Sequence, residues 1–156
     1  MIKLPTFPIT GGCACRQVRY TLTEAPFAIY TCHCKECQTL STSAFTLTMP
    51  VRPQALVIEG RLKTWTRIAK RSGNRLPQHV CPDCGVRIYS EPSQGRTWSL
   101  RCGSLDDTSW IEPVAAIWMR EAQPWVRLPR GCLLFDEDGD FAGQIIPRFR
   151  ELTGAA

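Results

Sequence analysis

Short stretches in which apolar and polar residues alternate follow one another along the chain, and most of them end at glycine or proline. Alternation with a period of two is typical of strands that bury one face. The stretches that predict strands are 18–22, 27–30, 44–49, 55–58, 63–68, 87–90, 97–102 and 114–119. The sequence therefore predicts a mainly β fold.

Local signals add detail to this prediction. Residues 35–41 contain few β-branched side chains, which favours a single helical turn, and a short helix is expected near the C-terminus. The connection between 55–58 and 63–68 is short, so these two strands are predicted to pair as an antiparallel hairpin. Gly11 and Gly12 predict a flexible turn that leads into the first cysteines.

The length of 156 residues suits a single domain with its own core. Three parts are predicted: an extended lead-in at 1–9, a folded domain at 10–130 and a C-terminal tail at 131–156. Hydrophobic residues make up 44% and charged residues 21%, as in globular proteins. No apolar run approaches the roughly 20 residues that span a bilayer, and no leader is apparent, so we expect a cytoplasmic protein with no membrane partner.

The formal net charge of +5 raises the question of nucleic-acid binding. Basic residues are spread along the chain, and the densest group is the short segment 67–71. Seven of the nine cysteines are closely spaced, as described below. If these seven bound two zinc ions as thiolates, the net charge would fall to about +2. The charge pattern therefore does not favour a nucleic-acid partner.

Seven of the nine cysteines lie in three closely spaced groups. They are Cys13 and Cys15, then Cys32, Cys34 and Cys37, then Cys81 and Cys84. In a reducing compartment such spacings favour metal binding over disulfides. Cys81-Pro-Asp-Cys84-Gly has the form of a zinc knuckle, which supplies two ligands and needs a second pair. Cys13 and Cys15 are the natural partners, and together the four predict a closed structural zinc site.

Cys32, Cys34 and Cys37 then remain, and two readings of them stay open. They could be buried thiols, or part of a different ligand combination. Alternatively they hold a second zinc with one open position. A three-thiolate zinc is a weak Lewis acid but accepts a soft fourth ligand, so it could hold a small thiol as the nucleophilic thiolate. His33 is a candidate ligand or proton shuttle, although a histidine in this position is more often just a neighbour of the site. Cys102 is expected in the core.

These motifs resemble the glutathione-dependent formaldehyde-activating enzyme family, which includes centromere protein V. The similarity comes from Gly11-Gly12-Cys13-Ala14-Cys15, Cys32-His33-Cys34-Lys35-Glu36-Cys37-Gln38, Cys81-Pro82-Asp83-Cys84-Gly85, Gly103-Ser104-Leu105-Asp106-Asp107 and the segment 118–125. Three positions depart from the family pattern. Arg16 and Thr42 stand where glycine is usual, and Val80 stands where an aromatic residue is usual.

The resemblance implies a zinc-binding, Mss4-like β fold with one structural and one catalytic zinc. It assigns the structural zinc to Cys13, Cys15, Cys81 and Cys84, and the catalytic zinc to Cys32, Cys34 and Cys37. The implied activity is that of a carbon–sulfur lyase acting on a glutathione, or other small-thiol, adduct of formaldehyde or a related electrophile. The alternative is a zinc-stabilised binding or redox-sensing module without catalysis.

Overall fold

The computed structural model describes residues 1–92 and 96–154. This part of the chain forms eleven strands and two α-helices, which confirms the predicted mainly β fold. The strands are β1 (Ile9–Gly12), β2 (Arg19–Leu22), β3 (Tyr30–Cys32), β4 (Thr46–Val51), β5 (Leu56–Glu59), β6 (Lys63–Ile68), β7 (Arg75–Val80), β8 (Arg87–Ser90), β9 (Trp98–Arg101), β10 (Ala115–Ile117) and β11 (Leu133–Leu134). The helices are α1 (Lys35–Ser41) and α2 (Ile146–Thr153). None of the helices described has the length and hydropathy needed to cross a bilayer.

The chain forms two compact units, each built from separate segments. The first unit comprises Met1–Leu4, Phe27–Met49 and Trp110–Ala156, and the second comprises Pro5–Pro26 and Pro50–Ser109. Because the segments alternate along the sequence, no single cut separates the two units. The two cysteine clusters are divided between them.

In the first unit, β3 pairs antiparallel with β4 and parallel with β10, and β10 pairs parallel with β11. Ile29, Ala115 and Ala116 have no exposed surface, so the centre of this unit is apolar. Ile145 and Phe149, which come from the C-terminal segment, are also fully buried. The end of β3 places Cys32 opposite Ile117 of β10.

The second unit contains two antiparallel arrays. In one, β2 lies between β1 and β5. In the other, β6, β7, β8 and β9 pair in sequence order. The Tyr20 side chain, which is 2% exposed, hydrogen-bonds to Ser104 Oγ at 2.9 Å and so fixes β2 to the turn after β9.

The predicted hairpin between 55–58 and 63–68 is wrong. In the structure β5 pairs with β2, which lies more than thirty residues earlier, and β6 pairs with β7. Leu56 of β5 is buried, whereas four of the six residues of β6 are exposed, so the two strands differ in how much of their surface they bury. Burial of the apolar face decided the pairing of β5, and proximity along the chain did not.

The predicted turn at Gly11 and Gly12 is also wrong, because both residues belong to β1. The two glycines are needed for space. A Cβ at Gly11 would overlap the Tyr20 hydroxyl, and a Cβ at Gly12 would overlap the Val18 carbonyl. The absence of side chains lets β1 approach β2 closely just before the first cysteine.

Candidate metal centres

Cys13, Cys15, Cys81 and Cys84 form a cluster in the second unit. Their sulfur atoms all lie within 4.8 Å of one another, with 3.5 Å between Cys13 and Cys15 and 3.6 Å between Cys15 and Cys81. A tetrahedral zinc with Zn–S bonds of about 2.3 Å needs sulfur atoms about 3.8 Å apart. The donor set and its spacing therefore fit a zinc tetrathiolate.

Two turns bring these thiols together. Cys13 and Cys15 follow β1, and Cys81 and Cys84 occupy the turn between β7 and β8. In that turn the Gly85 amide donates to the Cys81 carbonyl at 3.0 Å, and Gly85 has a φ of +74°. A Cβ at Gly85 would meet nothing within 4 Å, so glycine is favoured there by backbone conformation and not by space.

Backbone N–H groups point at the sulfur atoms of this cluster. The Val18 amide donates to Cys13 Sγ at 3.2 Å. Backbone donation from Val86, supported by the Cys15 amide, lowers the pKa of Cys84 to about 6. Donors of this kind stabilise the thiolate form that a metal binds. Cys13 and Cys81 are buried, whereas Cys15 and Cys84 are exposed.

A basic cleft of about 410 Å³ opens beside Cys13. Its charged lining residues are Arg16, Arg19, Arg87, Arg101 and Asp106. Arg19 donates to Asp106 Oδ1 at 2.9 Å, and with Thr10 it lowers the pKa of Asp106 to about 2. Four thiolates around Zn²⁺ would carry an excess of two negative charges, and these neighbouring guanidinium groups would partly offset it.

Cys32, Cys34 and Cys37 form the second cluster, within the first unit. Their sulfur atoms also lie within 4.8 Å of one another, and no further histidine, cysteine, aspartate or glutamate joins them among the residues described. Cys32 is buried, and Cys34 and Cys37 are partly exposed. Sulfur contacts from Cys34 and Cys37, together with burial, raise the pKa of Cys32. Close, desolvated thiols of this kind are readily ionised only when a cation is present.

Local structure fixes the three sulfurs on two elements. Cys32 is the last residue of β3, and Cys34 is the N-cap of α1, where its Sγ accepts the Cys37 amide at 3.4 Å. Ser41 Oγ and Thr46 Oγ1 both donate to the Cys37 carbonyl, at 2.8 Å and 3.2 Å. The cluster therefore bridges a strand end and a helix start, and it fits a metal with three protein sulfurs.

His33 lies between two of these cysteines in the sequence but is not part of the cluster. Its ring is fully buried, packs 5.1 Å from the Phe45 ring and places Nε2 3.0 Å from Thr31 Oγ1. Burial lowers the pKa of His33, which keeps the ring neutral at pH 7. The structure thus gives His33 a place in the core beside the cluster and not within it.

The two remaining cysteines lie outside both clusters. Cys102 is fully buried, and this burial raises its pKa to about 12, as expected of a core thiol. Cys132 is partly exposed, and burial of part of its surface raises its pKa to about 11. Neither thiol is activated in the folded chain.

The sequence as a whole matches a known family. Residues 8–121 match the profile of the family described as glutathione-dependent formaldehyde-activating enzyme, and this range holds all seven clustered cysteines. The chain belongs to the glutathione-dependent formaldehyde-activating enzyme family. The recognition made from the cysteine motifs is therefore confirmed.

A solved structure with low sequence identity is similar in fold to this chain. It is the crystal structure of a Rhodobacter sphaeroides protein, with a TM-score of 0.50, 15% sequence identity, and coverage of 63% of this chain and 88% of that one. The similarity extends to the fold alone. No match was found among curated proteins.

At Arg16 and Thr42, where the family resemblance predicts glycine, the backbone conformation favours glycine. Arg16 has a φ of +66° and Thr42 a φ of +49°, both in the left-handed region. Glycine adopts that region without a Cβ clash, whereas other residues pay about 1–2 kcal/mol. Thr42 is the C-cap of α1, where a left-handed residue ends the helix. Both positions therefore have a backbone conformation that glycine would adopt at a lower energetic cost.

Sequence reasoning missed two polar residues that support the three-cysteine cluster. Gln38 follows the last cysteine of its motif, and Glu121 lies 84 residues beyond Cys37. Glu121 Oε2 accepts the Lys35 amide at 2.7 Å, at the first residue of α1. Gln38 could have been noted from the motif itself, but nothing in the spacing of Glu121 indicates this contact.

Proposed function

We propose that this chain catalyses the reversible addition of a small thiol, glutathione or a relative of it, to formaldehyde or a related small electrophile. In the forward direction a carbon–sulfur bond forms and the thiol proton passes to the carbonyl oxygen, giving an S-hydroxymethyl thioether. In the reverse direction the chain acts as a carbon–sulfur lyase. Membership of the formaldehyde-activating family supports this class of reaction.

One observation carries the proposal: the cysteines group as four and three. The three-sulfur cluster offers one donor fewer than a tetrahedral metal needs. Zinc bound there would keep an incoming thiol ionised at neutral pH. Cys32 is buried, whereas Cys34 and Cys37 are partly exposed, so an incoming thiol would reach the cluster on their side.

The same reasoning proposes two zinc ions per chain. Cys13, Cys15, Cys81 and Cys84 would hold a structural ion, and Cys32, Cys34 and Cys37 would hold the ion of the reaction. Seven reduced thiols persist in a reducing compartment, so we place the reaction in the cytoplasm.

The proposal is tested by the exchange of labelled formaldehyde with its glutathione adduct, followed by NMR at equilibrium. The wild-type chain, loaded with zinc, should accelerate the exchange above the uncatalysed rate. Cys37→Ser should abolish the acceleration, because it removes one of the three sulfurs. Cys132→Ser is the matched control and should keep it, because Cys132 lies outside both clusters. An exchange rate that the wild-type chain does not alter would overturn the proposal.

A second function, redox sensing without catalysis, is favoured by the partial exposure of Cys34 and Cys37 within one cluster. Oxidation by peroxide would join two thiols as a disulfide with loss of two protons and two electrons, and a bound metal would leave. Mass spectrometry after mild peroxide treatment tests this function. A chain that keeps its zinc and its full mass would exclude it.

A further inference from the structure

The turn that follows β10 crosses the start of α1. β10 pairs with β3 in a register that sets Ile117 against Cys32, and the Ile117 carbonyl accepts the His33 amide at 3.0 Å. Trp118 then adopts a φ of +60°, which reverses the chain into the turn Met119–Glu121. The backbone thereby brings Glu121 beside the helix that carries Cys37.

Glu121 and Gln38 meet at this point in a set of direct hydrogen bonds. Glu121 Oε2 accepts the Lys35 backbone N–H at 2.7 Å. Gln38 Nε2 donates to the Glu121 carbonyl at 2.9 Å and to the His33 carbonyl at 2.6 Å. Lys35 Nζ donates to the Glu121 carbonyl at 3.3 Å. The turn Met119–Glu121 therefore holds both the Lys35 amide, in the first turn of α1, and the Gln38 side chain. Through Gln38 it is also linked to His33, the residue between Cys32 and Cys34.

We propose that Glu121 and Gln38 are positioning residues that hold the three-cysteine cluster in its metal-binding geometry. This inference rests on the proposed function. It gives a role to Gln38, the last residue of the second cysteine motif, and to Glu121, which lies outside the cysteine motifs. Cys32 is carried by a strand, whereas Cys34 and Cys37 depend on α1, a helix of seven residues. Such a short helix has little stability of its own, so its place is set by contacts at its ends. Mutation of residues that hydrogen-bond to metal ligands, and so orient them, typically lowers metal affinity 10- to 100-fold.

The chain supplies an internal reference for the test. The cluster of Cys13, Cys15, Cys81 and Cys84 belongs to the second unit, and neither Glu121 nor Gln38 does. Loss of the positioning contacts should weaken metal binding at the three-cysteine cluster and leave the four-cysteine cluster unchanged. A general loss of folding would weaken both.

Metal affinity is measured by competition with a chromophoric chelator, on the full chain loaded with cobalt or zinc. Glu121→Ala should weaken the three-cysteine site about tenfold or more, with a matching loss of its sulfur-to-cobalt absorption. Gln38→Ala should act in the same direction. Glu121→Gln keeps an acceptor oxygen for the Lys35 amide and should restore most of the affinity. Glu137→Gln, which removes only an exposed ion pair with Arg120, is the matched control.

Hydrogen exchange at the Lys35 amide gives a readout that needs no metal. The amide should be protected in the wild-type chain and in Glu121→Gln, and should exchange faster in Glu121→Ala. Equal exchange in all three, or equal cobalt affinity in wild type and Glu121→Ala, would overturn the inference. A wild-type chain that takes up only one metal, yet shows the expected exchange difference, would count against the proposed function and leave the positioning contacts established.

Discussion

The four-cysteine and three-cysteine clusters use the same donor atom in different local frameworks. The four sulfurs come from two turns that join strands, and Cys13 and Cys81 are buried among them. The three sulfurs come from one strand end and the first turn of a short helix, and two of them are partly exposed. A closed donor set on two turns suits a structural ion, and an open set at the start of a short helix suits an ion that exchanges ligands.

Removing one sulfur from each cluster in turn should give the largest difference in stability between the two clusters. Cys81→Ser should lose much of the roughly 10 kcal/mol that a structural zinc can contribute to folding, and the chain should be unfolded or nearly so at 25 °C. Cys37→Ser should remain folded because its cluster ties together only one strand end and one helix. Circular dichroism and urea unfolding of the two variants measure this difference, and equal destabilisation would contradict the assignment of roles.

A chelator should separate the two clusters without mutation. The three-cysteine site should release its metal first, since three ligands bind less tightly than four, and the fold should persist at that stage. Release of the second metal should coincide with loss of tertiary structure. Metal release followed by a zinc dye, alongside tryptophan fluorescence, checks the order. If tertiary structure were lost when the first metal ion leaves, the three-cysteine cluster would be the structural site.

Thr42→Gly should stabilise the chain by about 1 kcal/mol. Thr42 is β-branched and has a φ of +49°, which glycine adopts without steric cost, although glycine also loses more entropy on folding. Arg16→Gly should stabilise less because it also removes a positive charge from beside the thiolates. Urea midpoints of the two variants measure both effects. A destabilised Thr42→Gly variant would show that the threonine side chain supports the end of α1.

Asp106→Asn should give a small effect, and one that depends on pH. Arg19 and Thr10 lower the pKa of Asp106 in the folded chain from 3.8 to about 2. The carboxylate therefore stabilises the fold above about pH 4, and this contribution is lost as the pH falls toward 2. Both side chains of the pair are partly exposed, so solvent screening limits the effect at pH 7 to about 1 kcal/mol. Urea unfolding of wild type and variant at pH 7 and pH 3 should show the difference shrinking at the lower pH.

Much of this framework could be predicted from the sequence because cysteine spacing is a strong local signal. The mainly β pattern and the helix at 35–41 were also predictable from alternation and composition. The pairing of β5 with β2 could not be predicted from the sequence. The two strands lie more than thirty residues apart, and their pairing depends on which apolar faces become buried. The same limit applies to Glu121, whose contact with Lys35 arises from the register between β3 and β10.

The central claim is that the three-cysteine cluster holds a metal that accepts a substrate thiol. The most direct measurement is the absorption spectrum of the cobalt-substituted chain during titration with glutathione. We predict a new sulfur-to-cobalt band that saturates at one thiol per chain and is missing from Cys37→Ser. A spectrum that glutathione leaves unchanged, in a chain that holds two cobalt ions, would contradict the account.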